Sequence, residues 1–181
     1  MLPSLVLVTD DDRLPDPLAA ANALLRGSMV LVRARDAMRR ADLGRAMLKL
    51  AHRKELTVLI ADDPALAMKL RADGLHLPEA RMGEAAYWRT RFPALMITAA
   101  AHSFHAILQA RRMPVDAVFL SPVFGTHSHP NRTSLTALRA NTLARAFGKP
   151  VYALGGIDAR NAALLSRDAF SGIAAIGALA V

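Results

Sequence analysis

The sequence contains no cysteine, which excludes disulfide bonds, thiolate catalysis and cysteine-ligated zinc or iron–sulfur centres. Any metal ion would therefore need Asp, Glu or His ligands. No apolar run approaches the roughly 20 residues that a membrane-spanning helix requires, and the N-terminus lacks the basic region and cleavage site of a signal peptide. We expect a cytoplasmic protein that does not interact with membranes. No organic cofactor is expected.

Aromatic residues and lysines are also scarce. Aromatics make up 5% of the chain, and the lysines are Lys49, Lys54, Lys69 and Lys149, so the formal charge of +8 comes mainly from arginine. The basic residues are scattered, occur in pairs at most and have no aromatic residues between them, which argues against a nucleic-acid partner. They indicate a solvated basic surface that attracts anionic substrates.

Length and hydrophobicity predict a single domain over residues 1–181. At 53% hydrophobic residues, the chain is large enough to bury one sizeable core. Short runs that are apolar on both faces, as in buried parallel strands, cover residues 5–9, 29–32, 56–60, 74–77, 95–99, 117–120, 151–154 and 173–176. Segments with helical spacing alternate with them, at residues 17–26, 37–54, 64–71, 81–91, 104–112, 135–147 and 159–168.

Eight alternating strand–helix units predict a short (β/α)8 TIM barrel, an α/β fold. The outer helix after the eighth strand is expected to be missing or reduced to residues 178–181. The barrel surface there would be apolar, and we expect a homo-oligomer or a substituting helix to cover it.

Two glycine- and hydroxyl-containing turns predict a phosphate site. They span residues 121–130 and 153–157, and each follows an apolar, strand-like run. Glycines let the backbone approach an anion with its N–H groups exposed, and a following helix N-terminus adds a positive dipole. The ligand is therefore expected to be a small phosphorylated molecule, and its phosphate-binding residues to be Ser121, Thr126, Ser128, His129, Gly155, Gly156 and Gly177.

Barrel enzymes carry their chemistry at the carboxyl ends of the strands. The other candidates at these positions are Arg33, Arg35, Asp62, His76, Glu79 and His102. We expect only one of the two arginines, Arg33, to face the mouth of the barrel. Asp63 precedes Pro64 and is expected to cap a helix, which leaves Asp62 for function. His76 is expected to be a satisfied polar group, and residues 10–12, three aspartates, to form a solvated loop near the mouth.

Six segments in order resemble the thiamine phosphate synthase and TenI superfamily. They are Val30-Leu-Val-Arg33-Ala-Arg35, Ile60-Ala-Asp62-Asp63, Ala72-Asp-Gly-Leu-His76-Leu77, Ala101-His102-Ser103, Ser121-Pro-Val-Phe-Gly-Thr126 and Ala153-Leu-Gly-Gly156-Ile157. The resemblance runs from about residue 5 to residue 178. It implies a barrel that binds a thiazole phosphate, with the phosphate held by the last βα turns.

The sequence departs from the synthase pattern where that pattern serves pyrophosphate and Mg²⁺. The family glutamine falls on Leu31, the asparagine of an Asn-Asp pair on Ala61, and a second metal-binding aspartate on Arg81. A serine falls on Ala100, and the lysine that clamps pyrophosphate falls on His129. The resemblance leaves Asp62 as one Mg²⁺ ligand. A single carboxylate with substrate oxygens can hold Mg²⁺, so this metal stays a candidate.

Three functions stay open. The first is TenI-like proton transfer on a carboxythiazole phosphate, with His102 as the general base and Asp62 and Arg33 completing the catalytic set. The second is a divergent thiamine phosphate synthase, which joins thiazole phosphate to hydroxymethylpyrimidine pyrophosphate and releases pyrophosphate. The third is a non-catalytic barrel that binds a phosphorylated ligand. An alternative role for His102 is to cap the fifth helix.

Overall fold

A computed structural model describes residues 2–125 and 134–176 of the chain. These residues form a closed barrel of eight parallel strands in sequential order. Pairing of Leu7 in the first strand with Ala175 in the last closes the barrel. The strands are β1 (Leu5–Val8), β2 (Met29–Val32), β3 (Thr57–Ala61), β4 (Gly74–Leu77), β5 (Met96–Ala101), β6 (Ala117–Leu120), β7 (Val151–Leu154) and β8 (Gly172–Ala175). The predicted TIM barrel is confirmed.

The helices lie outside the barrel, between successive strands. They are α1 (Pro17–Ala23), α2 (Ala37–Lys54), α3 (Pro64–Leu70), α4 (Ala85–Arg91), α5 (Phe104–Arg112) and α6 (Ala137–Phe147). Several begin where a short polar side chain caps the first turn. The carboxylate of Asp63 accepts from the N–H of Leu66 at 2.9 Å, and Ser103 Oγ accepts from the N–H of Ala106 at 3.1 Å. Such caps are favourable because the first N–H groups of a helix lack acceptors within it. The predicted capping role of Asp63 is therefore confirmed.

Two predicted helices differ in the structure. The segment 81–91 starts as a 3-10 helix over Glu79–Glu84 and becomes α-helical at Ala85. The predicted helix over 159–168 is wrong, because that segment contains only a 3-10 turn, Ala162–Leu164. Asp158 accepts from the N–H groups of Arg160 and Asn161, and Asn161 donates to the carbonyl of Gly156. These local side-chain bonds stabilise a turn in place of a helix.

The strands bury both faces, which explains their continuous apolar sequences. Side chains alternate along each strand: Val6 and Val8 point into the barrel, whereas Leu7 packs against the outer helices. Phe119 and Tyr152 fill much of the interior and contact each other with ring centroids 5.0 Å apart. Continued beyond the last strand residue, the same alternation directs a side chain from each strand into the mouth.

No helix within residues 2–125 and 134–176 is long and apolar enough to cross a membrane. The expected reduction of the last outer helix concerns residues 178–181, which lie outside the described residues, and the expected homo-oligomer stays a prediction.

Candidate active site

A cavity of about 680 Å³ opens at the carboxyl ends of the strands. Volumes of this size are typical of small-molecule sites. The predicted site residues that line it are Arg33, Arg35, Asp62, His76, His102, Ser121 and Gly155. The predicted phosphate-binding residues Thr126, Ser128, His129 and Gly177 lie outside the described residues. The fold thus brings residues from six strands to one mouth.

Both arginines after β2 line the cavity, so the expectation that only one would face it is wrong. Residues two positions apart share a face of an extended chain, and Arg33 and Arg35 continue the inward-facing series of Met29 and Leu31. Each arginine meets a carboxylate from the loop after β1. Arg33 Nη1 donates to Asp10 Oδ2 at 3.0 Å, and Arg35 Nη2 donates to Asp12 Oδ2 at 2.6 Å.

Asp10 organises this wall, a role that sequence reasoning missed. Its side chain is 7% exposed, and its carboxylate accepts from Arg13 and Arg33 and from the backbone N–H of Asp12. The hydrogen bond from Arg13 is the main cause that lowers the Asp10 pKa to about 2. The signal was available, because Asp10 stands two residues after the inward-facing Val8. It is a buried structural carboxylate instead of part of a solvated loop.

Arg40 is a second residue that sequence reasoning missed. It lines the cavity from the first turns of α2, and its side chain is 16% exposed. Its Nη1 donates to the carbonyl of Ala34 at 2.7 Å and its Nη2 to Asp63 Oδ2 at 3.1 Å. Its Nε is buried and has no hydrogen-bond acceptor among the described residues. Together with Arg33 and Arg35, it gives the β2 side of the cavity a guanidinium-rich wall.

Asp62 reaches the mouth through an unusual backbone conformation. Its φ of 55° lies in the left-handed region, and its N–H donates to the carbonyl of His76 at 2.9 Å. This residue breaks the alternation of β3, so Asp62 lines the cavity while Asp63 turns away to cap α3. Strained conformations of this kind are concentrated at functional sites.

Arg81 pairs with Asp62. Arg81 Nη1 donates to Asp62 Oδ1 at 2.5 Å, and its Nε and Nη2 donate to the two carboxylate oxygens of Glu84 at 2.7 and 2.8 Å. The bonds to Glu84 and then to Asp62 raise the Arg81 pKa above its ordinary value, so the guanidinium is a permanent charge.

This pairing does not fit the Mg²⁺ site that the resemblance implied. Mg²⁺ requires oxygen ligands in near-octahedral geometry, whereas the expected ligand Asp62 already bonds a cation of this chain. Across residues 2–125 and 134–176, no group of three or more His, Cys, Asp or Glu side chains could hold a metal ion. The carboxylates of Asp62 and Glu84 bind the guanidinium of Arg81 at this position.

The floor of the cavity is made by His76 and Phe119. The His76 ring stands edge-on to Phe119 with centroids 4.8 Å apart, and its Nδ1 lies 2.9 Å from Thr98 Oγ1. Burial, and then electrostatic interaction with His102 and Arg33, lower the His76 pKa to about 3. The imidazole is therefore neutral at physiological pH. The partner at Thr98 agrees with the expectation of a satisfied polar group.

His102 is held in a fixed orientation at the edge of the mouth. Its backbone N–H donates to Glu79 Oε2 at 2.7 Å, and its Nδ1 lies 2.9 Å from the carbonyl oxygen of Ser121 and 3.1 Å from Ser121 Oγ. A carbonyl oxygen can only accept, so Nδ1 carries the proton and a neutral ring leaves Nε2 with a free electron pair. Ser103, not His102, caps α5, so the capping alternative for His102 is wrong.

The glycine turn after β7 packs against the loop after β6. Gly155 and Gly156 have φ values of 95° and 65°, and the N–H of Phe124 donates to the carbonyl of Gly155 at 3.1 Å. A Cβ on Gly156 would come within 3.0 Å of the carbonyl oxygens of Gly125 and Phe124. The N–H groups of Gly155 and Gly156 form no hydrogen bond within the described residues. They are free to bind an anion, although the expected helix N-terminus directly after β7 is absent from this part of the chain.

The cavity therefore has two different walls. Arg33, Arg35 and Arg40 line it on the β2 side, and Ser121 and Gly155 line it after β6 and β7, whereas Gly156 stands next to the lining residues and is not one of them. In the closed strand order, β2 and β3 stand four strands from β6 and β7, so the two walls face each other across the mouth.

Comparison with known proteins gives one consistent family. The family model described as "Thiamine monophosphate synthase" matches residues 5–179. A protein of Aquifex aeolicus named "Putative thiamine-phosphate synthase 2" is 28% identical over 180 residues, covering 97% of this chain and 96% of that protein. A "Thiamine-phosphate synthase" of Roseiflexus castenholzii is 30% identical over 163 residues, covering 87% of this chain and 72% of that protein.

Solved structures support the same fold. The structure titled thiamine phosphate pyrophosphorylase, from Pyrococcus furiosus, superposes with a TM-score of 0.83 at 23% identity, covering 98% of this chain and 88% of that chain.

Proposed function

The chain belongs to the thiamine monophosphate synthase family, and on that premise we propose that it makes thiamine phosphate from a thiazole phosphate and hydroxymethylpyrimidine diphosphate. Relatives that align with nearly the whole chain are named as thiamine-phosphate synthases, which favours this reaction over the TenI-like tautomerase. Membership of the family places the protein in thiamine biosynthesis.

The observation that carries the proposal is the pair of facing walls. Joining two phosphorylated molecules requires two anion sites across one cavity, whereas an isomerase with a single monophosphorylated substrate requires one. We assign the diphosphate to the guanidinium wall of Arg33, Arg35 and Arg40. We assign the thiazole phosphate to Ser121 and the N–H groups of Gly155 and Gly156, where a compact backbone cradle suits a terminal phosphate.

The chemistry breaks one bond and forms one. The C–O bond between the pyrimidine methylene and the diphosphate breaks, and its electron pair leaves with the diphosphate. The lone pair of the thiazole nitrogen then forms the new C–N bond to that methylene carbon. Arg33 and Arg35 would stabilise the negative charge that develops on the leaving group.

The floor suits the ring that carries the developing positive charge. Phe119 offers an aromatic surface, and His76 stays neutral because its pKa is lowered to about 3. A neutral imidazole adds no positive charge next to the reacting carbon. Burial of the rings against this floor would also exclude water, which would otherwise capture the carbon.

The test is direct formation of thiamine phosphate. The purified protein is incubated with both substrates, in parallel reactions with MgCl₂ and with EDTA, and the product is measured by chromatography. We expect product in the wild type, and a loss of about 100-fold in kcat/KM for Arg33→Ala, as for other groups that stabilise a negative charge developing in the transition state.

The matched control is Arg26→Ala. Arg26 precedes β2 at the opposite end of the barrel and pairs with Glu55, so its removal should leave kcat/KM within about twofold. Absence of product in both ion conditions, with the protein folded, would refute the synthase proposal.

His102 supports a second candidate, proton transfer on a carboxythiazole phosphate. Its ring is held at Nδ1 by Ser121, and its Nε2 makes no hydrogen bond to residues 2–125 and 134–176, which is the form of a general base. If the synthase assay gives no product while thiazole phosphate still binds, the tautomerisation assay follows, with loss of turnover expected in His102→Ala. Binding without turnover in either assay would leave the non-catalytic barrel.

A further inference from the structure

We propose that Arg81 replaces a divalent cation at this site, so that the chain binds diphosphate without metal. The inference rests on the proposed function, because that function identifies the ligand as a diphosphate. It concerns the net charge of the cavity wall next to that ligand. The observation behind it is the ion pair between Arg81 and Asp62, whose carboxylate lines the cavity.

Asp62 alone would oppose an anion. A carboxylate and a phosphate group a few ångströms apart repel each other by several kcal/mol when little water separates them, on the order of 4 kcal/mol at 4 Å. Either a bound cation or a paired guanidinium removes that repulsion. With Arg81 in place, Asp62 and Arg81 together are neutral, so a metal ion is not needed to admit the ligand.

Glu84 fixes the guanidinium in position. It takes Nε and Nη2 of Arg81 in a two-bond fork, which leaves Nη1 directed at Asp62. Arg81 therefore acts through Asp62 and is a positioning residue. Its permanent charge makes the arrangement insensitive to pH over the physiological range.

The structure also provides a reporter of this pair. Trp88, the single tryptophan of the chain, donates from Nε1 to Glu84 Oε2 at 3.3 Å. Any rearrangement of Glu84 or Arg81 should change the fluorescence of Trp88 without the need for turnover.

The experiment measures binding of inorganic pyrophosphate by calorimetry, once in EDTA and once in excess MgCl₂. For the wild type we expect Kd values within about threefold of each other, and no change of Trp88 fluorescence when MgCl₂ is added alone. Arg81→Asp places three carboxylates together with Asp62 and Glu84. That variant should bind pyrophosphate at least about tenfold more weakly in EDTA, recover with MgCl₂, and show a Mg²⁺-dependent fluorescence change.

Two further variants separate the effect from misfolding. Arg91→Asp makes the same charge change at the exposed end of α4 and should behave like the wild type in every arm. Arg81→Gln removes the positive charge without adding a negative one, so its pyrophosphate binding in EDTA should weaken less than that of Arg81→Asp. Circular dichroism melts establish that each variant is folded.

Several results would overturn the inference. They are pyrophosphate binding by the wild type that requires Mg²⁺, absence of pyrophosphate binding in both conditions, and equal binding in EDTA by Arg81→Asp and the wild type. Failure of the proposed function looks different: metal-free pyrophosphate binding without formation of thiamine phosphate would refute the synthase and leave the role of Arg81 intact.

Discussion

Alanine at Gly156 should disrupt the phosphate wall much more than alanine at Gly148. Both glycines have left-handed φ values, 65° and 74°, so each substitution carries the same conformational penalty. Their surroundings differ. A Cβ on Gly156 would come within 3.0 Å of the backbone oxygens of Phe124 and Gly125, whereas a Cβ on Gly148, just after α6, would meet no atom of the described residues within 4 Å.

The expected losses of stability follow from the left-handed backbone conformation and from the steric clash. Placing alanine in a left-handed conformation costs about 1–2 kcal/mol, and the loss of chain entropy in the unfolded state returns about 0.4–1 kcal/mol. Gly148→Ala should therefore reduce the free energy of unfolding by about 1 kcal/mol. Gly156→Ala adds an overpacking cost of about 1–3 kcal/mol, because the obstructing atoms are backbone and cannot rotate away, which gives a loss of about 2–4 kcal/mol.

The assay is urea unfolding followed by circular dichroism, combined with calorimetric binding of thiazole phosphate. The clash moves the turn that presents the Gly155 and Gly156 N–H groups, so Gly156→Ala should also weaken binding at least about tenfold, while Gly148→Ala leaves it unchanged. Losses of stability that agree within about 0.5 kcal/mol, or unchanged ligand affinity in Gly156→Ala, would refute the reasoning.

Three further predictions concern charge and capping. Asp10→Asn should destabilise the protein by about 1–2 kcal/mol at neutral pH, and because folding lowers the Asp10 pKa from 3.8 to about 2, that difference should vanish as the pH falls through this interval in urea titrations. A constant difference down to pH 2 would contradict it. His76, with a folded pKa of about 3 against 6.5 when unfolded, should show no ring titration between about pH 5 and 8 by NMR, and its contribution to stability should be lost as the pH falls from 6.5 towards 3; a midpoint near 6.5 would show that the ring is not buried as described. Ser103→Ala should cost about 1 kcal/mol in urea unfolding through loss of the α5 cap, and no loss would mean that the cap is not formed in solution.

The amino-acid sequence was sufficient to predict the barrel and many of the residues at its mouth. Short runs that are apolar on both faces, repeated eight times between helical segments, are compatible with few folds other than a closed parallel barrel. Strand ends could be read to within two residues because glycine, proline and aspartate mark them, and the carboxyl-end rule then collected Arg33, Asp62, His76 and His102 without coordinates. Sequence signals are reliable for interactions between residues close in sequence, such as the hydrogen bonds by which Asp63 and Ser103 cap their helices.

The pairing of those residues with one another could not be predicted in the same way, because it depends on the folded arrangement. Asp62 and Arg81 are 19 positions apart, and Asp10 and Arg33 are 23 apart, so their pairing depends on neighbouring strands being brought side by side. The spacing of residues in the sequence does not predict that Arg40 lines the cavity. Nor does it predict that Asp158 and Asn161 form side-chain hydrogen bonds that stabilise a turn after β7 in place of a helix. Sequence periodicity predicts which side chains lie on the same face of a strand or helix. The charge of an aspartate or histidine depends instead on the groups that folding places next to it.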